Sequence, residues 1–348
     1  MAYKIIQWAT GNVGSQVIKA IAQRSDLKLK GLFVYSESKV GMDAGTLVGI
    51  EKLGVKATND IDKILAMDAD CVVHTPLPSL VFGDDPGADL DVICALLASG
   101  KNVISTVGYM YPKVYGKKLM NRIQAACRRG GSSFHGTGAN PGWLGDLIPL
   151  TLSSLSNRID QIHIQEISHF EHYASPEIIC DNMGFGKTPK AYKAQNARYS
   201  SWLNGLFEES VQMVADGIGL KLDNITAKSK QILAPEDLTV AAGPIKKGTV
   251  AGQHWEWAGI SKGKKRIVHE TIWRVHDSIA DQWPRGVHSI TIKGHPKLYL
   301  EFGENWNDDL GSATSIHAVN SIPYVVEASC GVQTFLDLPW IMGRGAAQ

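Results

Sequence analysis

Near its start the chain reads Ala9-Thr10-Gly11-Asn12-Val13-Gly14, a spacing that suits phosphate chemistry. A pyrophosphate is held by backbone N–H groups at the positive end of a helix, where side chains obstruct, so glycine recurs. Gly11 and Gly14 stand at the second and third glycines of the G-x-G-x-x-G dinucleotide pattern, and Ala9 replaces the first. Gly11 permits close approach of the phosphates, and Gly14 lets helix and strand pack. Ala9, Thr10, Gly11, Asn12 and Val13 are therefore the expected pyrophosphate-binding residues. An Asp or Glu ending the next strand would favour NAD, whereas its absence beside a cation admits a 2′-phosphate. The chain there reads Tyr35-Ser36-Glu37-Ser38-Lys39. Ser36 occupies the acidic position, Ser38 and Lys39 can hold a phosphate, and Glu37 is one residue off. This favours NADP(H) as cofactor, with NAD(H) the alternative through Glu37. His74-Thr75-Pro76 and Thr106-Val107-Gly108 end two further strand-like runs. Ligands bind outside the carboxyl ends of parallel strands, so His74, Thr75, Thr106 and Gly108 are expected to flank a nicotinamide.

The elements that must position these groups follow from hydrophobic periodicity. Tyr3 to Trp8 is a short apolar run, and Val13, Val17, Ile18 and Ile21 recur at helical spacing. Leu29 to Tyr35 then completes a β-α-β unit of the usual size, about 30 residues. Cys71–His74 and Asn102–Ser105 read as strands, and Leu90–Ala98 as a helix capped by Gly100. Tyr115–Arg129 reads as a helix ending in Gly130-Gly131. Strands alternating with helices predict an α/β fold, a Rossmann-type doubly wound parallel sheet. After Pro141 the pattern changes to long strand-like runs, 159–170, 226–233, 250–260, 266–276 and 287–302. These predict an α+β second domain with a mostly antiparallel, open sheet, half-buried on one face. A helical insertion is expected at Ala194–Gly219, and a helical tail at Ser312–Phe335 despite Pro323. The expected domains are 1–141 for the nucleotide, 142–310 for substrate and dimerisation, and 311–348 packing back on the first.

Composition narrows the function classes. With 348 residues, 44% hydrophobic and 20% charged, the chain can bury two cores. A net charge of +1 provides no field for nucleic acid or an anionic membrane, and neither partner is expected. Lys262-Gly263-Lys264-Lys265-Arg266 lies between two strand-like runs and reads as a solvated hairpin turn. Cys71, Cys94, Cys127, Cys180 and Cys330 are scattered without a CxxC pair, which fits a reducing compartment. The apolar runs fall short of the ~20 residues of a membrane span, and no signal-peptide pattern precedes the first strand. A cytoplasmic location is expected. His169 and His172 have no accompanying ligand set, so no metal site is expected.

Several segments resemble the 2,4-diaminopentanoate dehydrogenase family, which includes native amine dehydrogenases and is often labelled dihydrodipicolinate reductase-like. These are Trp8 to Gly14, Gly136-Thr137-Gly138-Ala139-Asn140-Pro141-Gly142-Trp143, Met183-Gly184-Phe185-Gly186 and Ala318 to Pro323. The resemblance implies a homodimer whose C-terminal sheets pack together, with substrate held between the domains. It implies a cofactor contact at Asn140 and substrate-pocket positions at Trp143 and Tyr173. Dihydrodipicolinate reductase itself carries adjacent paired histidines followed closely by lysine. Here His169-Phe170-Glu171-His172 is followed by no lysine until Lys187, so that activity is not expected. In the resembling amine dehydrogenases a Glu precedes a Tyr-Pro pair and is thought to activate ammonia. In this chain Val107-Gly108-Tyr109-Met110-Tyr111-Pro112 has Gly108 at that position and no carboxylate. The resemblance thus supports hydride transfer without supplying the base for free ammonia.

Hydride chemistry also needs a proton donor, for which Tyr109, His169 and Tyr173 are the candidates, with Glu171 and His172 nearby. Three functions stay open. The chain could reduce a C=N or C=O bond of a small, largely apolar ketone or imine, with an amine in reverse. It could be a carbonyl or alcohol dehydrogenase without nitrogen chemistry, or a non-catalytic nucleotide-binding protein.

Overall fold

A parallel sheet covered on both faces needs apolar residues pointing both ways, and the first strand supplies them in Ile5 and Ile6. The computed structural model describes residues 2–195, 197–280, 282–283, 286–303, 306 and 310–346. It divides into two units, Met1–Trp143 with Leu310–Gln348, and Leu144–Asp309.

In the first unit, β1 (Tyr3–Trp8), α1 (Asn12–Ala22) and β2 (Leu27–Phe33) form the β-α-β unit. There follow α2 (Ala44–Leu47), β3 (Ala57–Thr58), α3 (Ile61–Ala66), β4 (Cys71–His74), α4 (Ser79–Phe82), α5 (Ala88–Ala98) and β5 (Asn102–Ser105). After them come α6 (Lys117–Gly130) and β6 (Ser133–Gly136). Among the described residues these strands make one seven-stranded sheet with a short C-terminal strand, in the order C-terminal strand, β6, β5, β4, β1, β2, β3. Every pairing in it is parallel. Ile5, Cys71 and Val73 point to one face, where they pack with Val17, Ile18 and Ile21 of α1. Ile6, Val72, Val103 and Phe134 point to the other, against Ile93 and Leu97 of α5 and Ile123 of α6. Each fully buried aliphatic side chain contributes about 1.5–3 kcal/mol. Helix α6 starts two residues later than the periodicity predicts, because a 3-10 turn occupies Pro112–Tyr115.

In the second unit come α7 (Ile148–Ser153), β7 (Arg158–His169), α8 (Pro189–Gln195) and α9 (Ala197–Gly217). Then follow β8 (Asn224–Leu233), β9 (Leu238–Val240), β10 (Gly243–Ile245), β11 (Val250–Ser261), β12 (Lys264–Arg274), β13 (His288–His295) and β14 (Leu298–Phe302). The six-stranded sheet runs β14-β13-β7-β12-β11-β8. Its pairings are antiparallel except β7 with β12. The run expected as one strand over 287–302 is two, broken by a turn at Pro296-Lys297. Lys262-Gly263 forms the β11–β12 hairpin turn, so the lysine-rich stretch is that turn and its flanks. Helix α9 covers one face of the sheet, where Phe207 stacks on Trp257 at 3.9 Å.

The tail returns to the first unit as α10 (Leu310–Val326) and β15 (Gly331–Val332), the short C-terminal strand. The sequence predicted helix to Phe335. The helix instead stops one turn after Pro323, which cannot donate to the i−4 carbonyl, and the chain then extends beside β6. Among the described residues no helix is long and apolar enough to cross a membrane.

Candidate functional site

The first strand delivers its glycine loop to the start of α1 through a strained residue. Ala9 sits at φ +74°, a region costly for a side chain and usual for the glycine it replaces. Gln7, fully buried, holds it there. Gln7 Nε2 lies 2.9 Å from both Trp8 O and Ala9 O and 2.8 Å from Thr75 Oγ1. A methyl on Gly14 would stand 2.2 Å from Ala9 O and 2.9 Å from Thr75 Oγ1, so close packing dictates that glycine. A methyl on Gly11 would meet nothing within 4 Å. Gly11 caps α1, whose first turn carries no acidic side chain to neutralise the helix N-terminus. An open cradle before an uncompensated helix N-terminus fits the pyrophosphate of a dinucleotide.

Beside this loop, Ser36 and Ser38 hydroxyls lie 2.8 Å apart, and Lys39 Nζ donates to Thr10 Oγ1 at 3.0 Å. Glu37 turns aside to accept from Asn59 Nδ2 at 2.6 Å. The ring of Tyr35 is exposed while its hydroxyl accepts from Trp8 Nε1 at 2.9 Å. Sequence reading missed Thr314 and Ser315 on α10. Ser315 donates to Val13 O at 3.0 Å, and Thr314 Oγ1 accepts from Ala139 N at 3.2 Å. They tie the C-terminal helix to the glycine loop and to the segment holding Asn140, and no local pattern near residue 314 announces it.

At the carboxyl ends of β4 and β5 the expected residues differ in character. The His74 side chain is fully buried, with Nδ1 3.1 Å from Ser105 Oγ and Nε2 3.8 Å from Asp89 Oδ1. Burial pushes its imidazole down to about 3, so it stays neutral. His74 therefore supports the strand ends from beneath, and its ring does not present itself to a nucleotide. Thr75 is also buried and donates to Trp8 O at 3.2 Å, whereas Thr106 is half-buried. Gly108 adopts φ +135° and Tyr109 φ +63°. This loop lies on β6 so closely that a methyl on Gly136 would stand 2.5 Å from the Tyr109 carbonyl. The Tyr109 ring packs edge-on against Tyr115 at 5.7 Å. Trp143 is half-buried, its N–H donating to Gly138 O at 2.9 Å.

In the second unit His169 does not serve as the free proton donor expected of it. Its Nε2 accepts from Arg274 (3.1 Å) and from the Gly286 N–H (3.1 Å), and its Nδ1 lies 2.6 Å from Asp277 Oδ1. Arg274 is itself buried and donates to the carbonyls of Ile279 and Ala280, both at 3.0 Å. With both nitrogens engaged, His169 holds the loop after β12. His172 is exposed, and Glu171 lies 3.8 Å from His276. Tyr173 is half-buried at one end of a string of rings, Tyr173 to Phe170 at 6.2 Å and Phe170 to Trp273 at 6.5 Å. Among the described residues no group of three His, Cys, Asp or Glu side chains is placed to hold a metal ion.

Residues 143–345 match the model of the 2,4-diaminopentanoate dehydrogenase C-terminal domain, and residues 5–83 match the dihydrodipicolinate reductase N-terminus. An amine dehydrogenase of Streptomyces virginiae is 32% identical over 96% of this chain and 95% of its own length. The 2,4-diaminopentanoate dehydrogenase of Acetoanaerobium sticklandii is 26% identical over 68% of this chain and 66% of its own. The solved amine dehydrogenase of Mycobacterium smegmatis superposes with a TM-score of 0.82 at 20% identity, covering 98% of this chain and 97% of that one, a likeness of fold.

Proposed function

The chain belongs to the 2,4-diaminopentanoate dehydrogenase family and is an NAD(P)-dependent oxidoreductase, and on that premise we propose that it interconverts a small, largely apolar amine with the corresponding imine or ketone. The observation that carries the nucleotide half of this reading is the open cradle at Gly11 before α1. NADP(H) is the favoured cofactor, because Ser36, Ser38 and Lys39 gather beside Thr10 while Glu37 is held by Asn59. When bound, the nicotinamide would supply the hydride chemistry at the substrate carbon. Backbone N–H groups from Gly11 to Val13 would bind the pyrophosphate. Thr106, Gly108 and Asn140 would border the nicotinamide. Within the first unit Trp143 would exclude water from the apolar substrate, and Tyr109 is the proton donor we assign.

The family resemblance extends the proposal to a homodimer. The sheet face opposite α9 presents His163, Gln165, His254 and Glu270, partly exposed, and sedimentation giving a monomer at micromolar concentration would reject the dimer. A second reading, a carbonyl or alcohol dehydrogenase, is favoured by one observation, the absence of any acidic side chain from residues 107–112. Purified protein with NADPH and a panel of small ketones, with and without ammonia or methylamine, separates the two. Nitrogen-dependent NADPH consumption is expected. Ketone reduction indifferent to added amine would establish the second reading, and no consumption with any carbonyl or imine would overturn both.

A further inference from the structure

The second unit holds a small cavity where the chain passes from α7 into β7, beside the start of β12 and the C-terminus of α9. At about 3.3 Å per residue, Ile159 in its wall stands roughly 33 Å along β7 from His169, beyond which lies Tyr173. The cavity measures about 260 Å³, below the roughly 300–1,000 Å³ of drug-sized sites, so any guest is small. Ser156, Asn157 and Arg266 supply polar groups, and half-buried Ile159, Ile218 and Leu220 supply apolar walls. Arg266 is fixed in advance of any ligand. Its Nε donates to Asp160 O at 2.6 Å and its Nη2 to Ile159 O at 2.8 Å. Those bonds use two of the five N–H groups of a guanidinium. The other three have no partner among the described residues, and no carboxylate there forms an ion pair with Arg266. Ser156 Oγ is shielded from solvent and also has no hydrogen-bond partner among the described residues. A buried hydroxyl left unpaired is costly, so a pinned cation and an orphaned hydroxyl lining one cavity mark a place built for a polar guest.

The charge of that guest follows from the surroundings. Asp160, whose carbonyl holds Arg266, has its carboxylate 3.3 Å from Arg158. The end of α9 is closed on itself. The N–H groups of Ile218, Gly219 and Leu220 donate to the carbonyls of Val214, Asp216 and Ala215 at 3.2, 3.0 and 2.8 Å, so those carbonyls are not left bare to repel an anion. A cation would be repelled by Arg266, and a neutral body would cover its spare N–H groups without satisfying them. A phosphate dianion would meet one guanidinium and no second cation in the lining. A carboxylate matches a guanidinium in both charge and planar geometry. We propose that this cavity binds a short-chain carboxylate, with the Arg266 guanidinium and the Ser156 hydroxyl on its oxygens and Ile159, Ile218 and Leu220 around its hydrocarbon tail. The site gives the chain a second ligand, and it depends on neither the nucleotide loop nor the amine reading above.

The test titrates butyrate, its neutral isostere butyramide and inorganic phosphate into full-length protein labelled on its isoleucine methyls. The Ile159 and Ile218 resonances, identified through Ile159→Val and Ile218→Val, report on the cavity. Wild type should bind butyrate with a dissociation constant on the order of 1 mM, the range open to so small a ligand, and butyramide and phosphate at least about tenfold more weakly. Arg266→Gln should weaken butyrate by about 10–100-fold and leave butyramide within about threefold, as for loss of a hydrogen-bonded charge. Ser156→Ala should weaken butyrate by about tenfold. Because Ser156 Oγ has no partner among the described residues, this variant should melt no lower than wild type. It decides the question should Arg266→Gln fail to fold, since Arg266 also ties down the start of β7. Methyls of Ile159 and Ile218 unmoved by butyrate at about 50 mM would overturn the site. So would butyramide or phosphate binding as tightly as butyrate, or a butyrate affinity within about threefold of wild type in either variant once folded.

Discussion

Replacing Ser36 by Asp should reverse the nucleotide preference, and the geometry sets the size of the effect. Ser36 Oγ lies 2.8 Å from Ser38 Oγ, in the turn from which Lys39 reaches Thr10. A 2′-phosphate bound there carries roughly −1.5 to −2 charge at neutral pH. A carboxylate about 5 Å away would oppose each unit of that charge by about 1 kcal/mol at water-like screening and about 3 kcal/mol at a partly buried surface. Ser36 is exposed, so the lower figure applies, giving about 1.5–2 kcal/mol and a loss of roughly 10–30-fold in NADPH affinity. The new carboxylate would also draw Lys39 away from the phosphate, enlarging the loss. NADH should gain a few-fold, since the carboxylate can accept from the ribose hydroxyls. Quenching of intrinsic fluorescence gives both dissociation constants. Repeating the titrations at high salt should shrink the NADPH penalty, because exposed charges are screened within about a Debye length. A wild type that already binds NADH as tightly as NADPH refutes the reasoning, and so does a Ser36→Asp preference within about threefold of wild type.

Gly11→Asp should abolish nucleotide binding without loss of thermal stability, since a side chain there meets no protein atom and projects into the pyrophosphate cradle; unchanged NADPH titration would remove the dinucleotide reading. Gly108→Glu should lower stability by about 1–3 kcal/mol and leave ammonia-dependent turnover no higher, because φ +135° disfavours any side chain; a stable variant with enhanced amination would show the loop to be adaptable. Glu270 is held well below the usual carboxyl range by hydrogen bonds from His163 and His254. A depressed folded value stabilises above the unfolded pKa near 4.3 and loses that stabilisation as pH falls below it. The melting-temperature advantage of wild type over Glu270→Gln should therefore shrink from pH 6 to pH 3, and a constant difference would contradict the assignment.

The glycine loop was legible because its requirements are local. A strand, a turn approached closely by phosphate and a helix start each demand residue types within a few positions, and Ala9 through Gly14 meet them. The parallel sheet was legible for a similar reason, since strands buried on both faces read as unbroken apolar runs. His169 could not be judged the same way. Its partners Arg274 and Gly286 stand more than a hundred residues further on, and nothing in His169-Phe170-Glu171-His172 separates an engaged imidazole from a free one. Thr314 and Ser315 were hidden for the same reason, reaching the glycine loop and Ala139 only through the return of the tail. Glu166 belongs to no local motif of the sequence. Its burial, and its neighbours on β12 and β13, follow from a register that pairs three strands distant in sequence.

The loop after β5 shows why one position cannot be read by residue type alone. Gly108 at φ +135° and Tyr109 at φ +63° are consecutive departures from ordinary backbone, and such pairs persist only where the surroundings enforce them. Here the enforcement is visible. The Tyr109 carbonyl presses on Gly136, where even a methyl would be 2.5 Å away, and the Val107 N–H donates to Ser105 Oγ at 3.4 Å, itself next to His74. A glycine at 108 and a glycine at 136 are thus two consequences of one backbone path. Putting a carboxylate at 108 would require a different path, and with it a different Tyr109. The loop accordingly offers a tyrosine and backbone rather than an acid. A carboxylate needed beside this loop would have to come from another element of the chain.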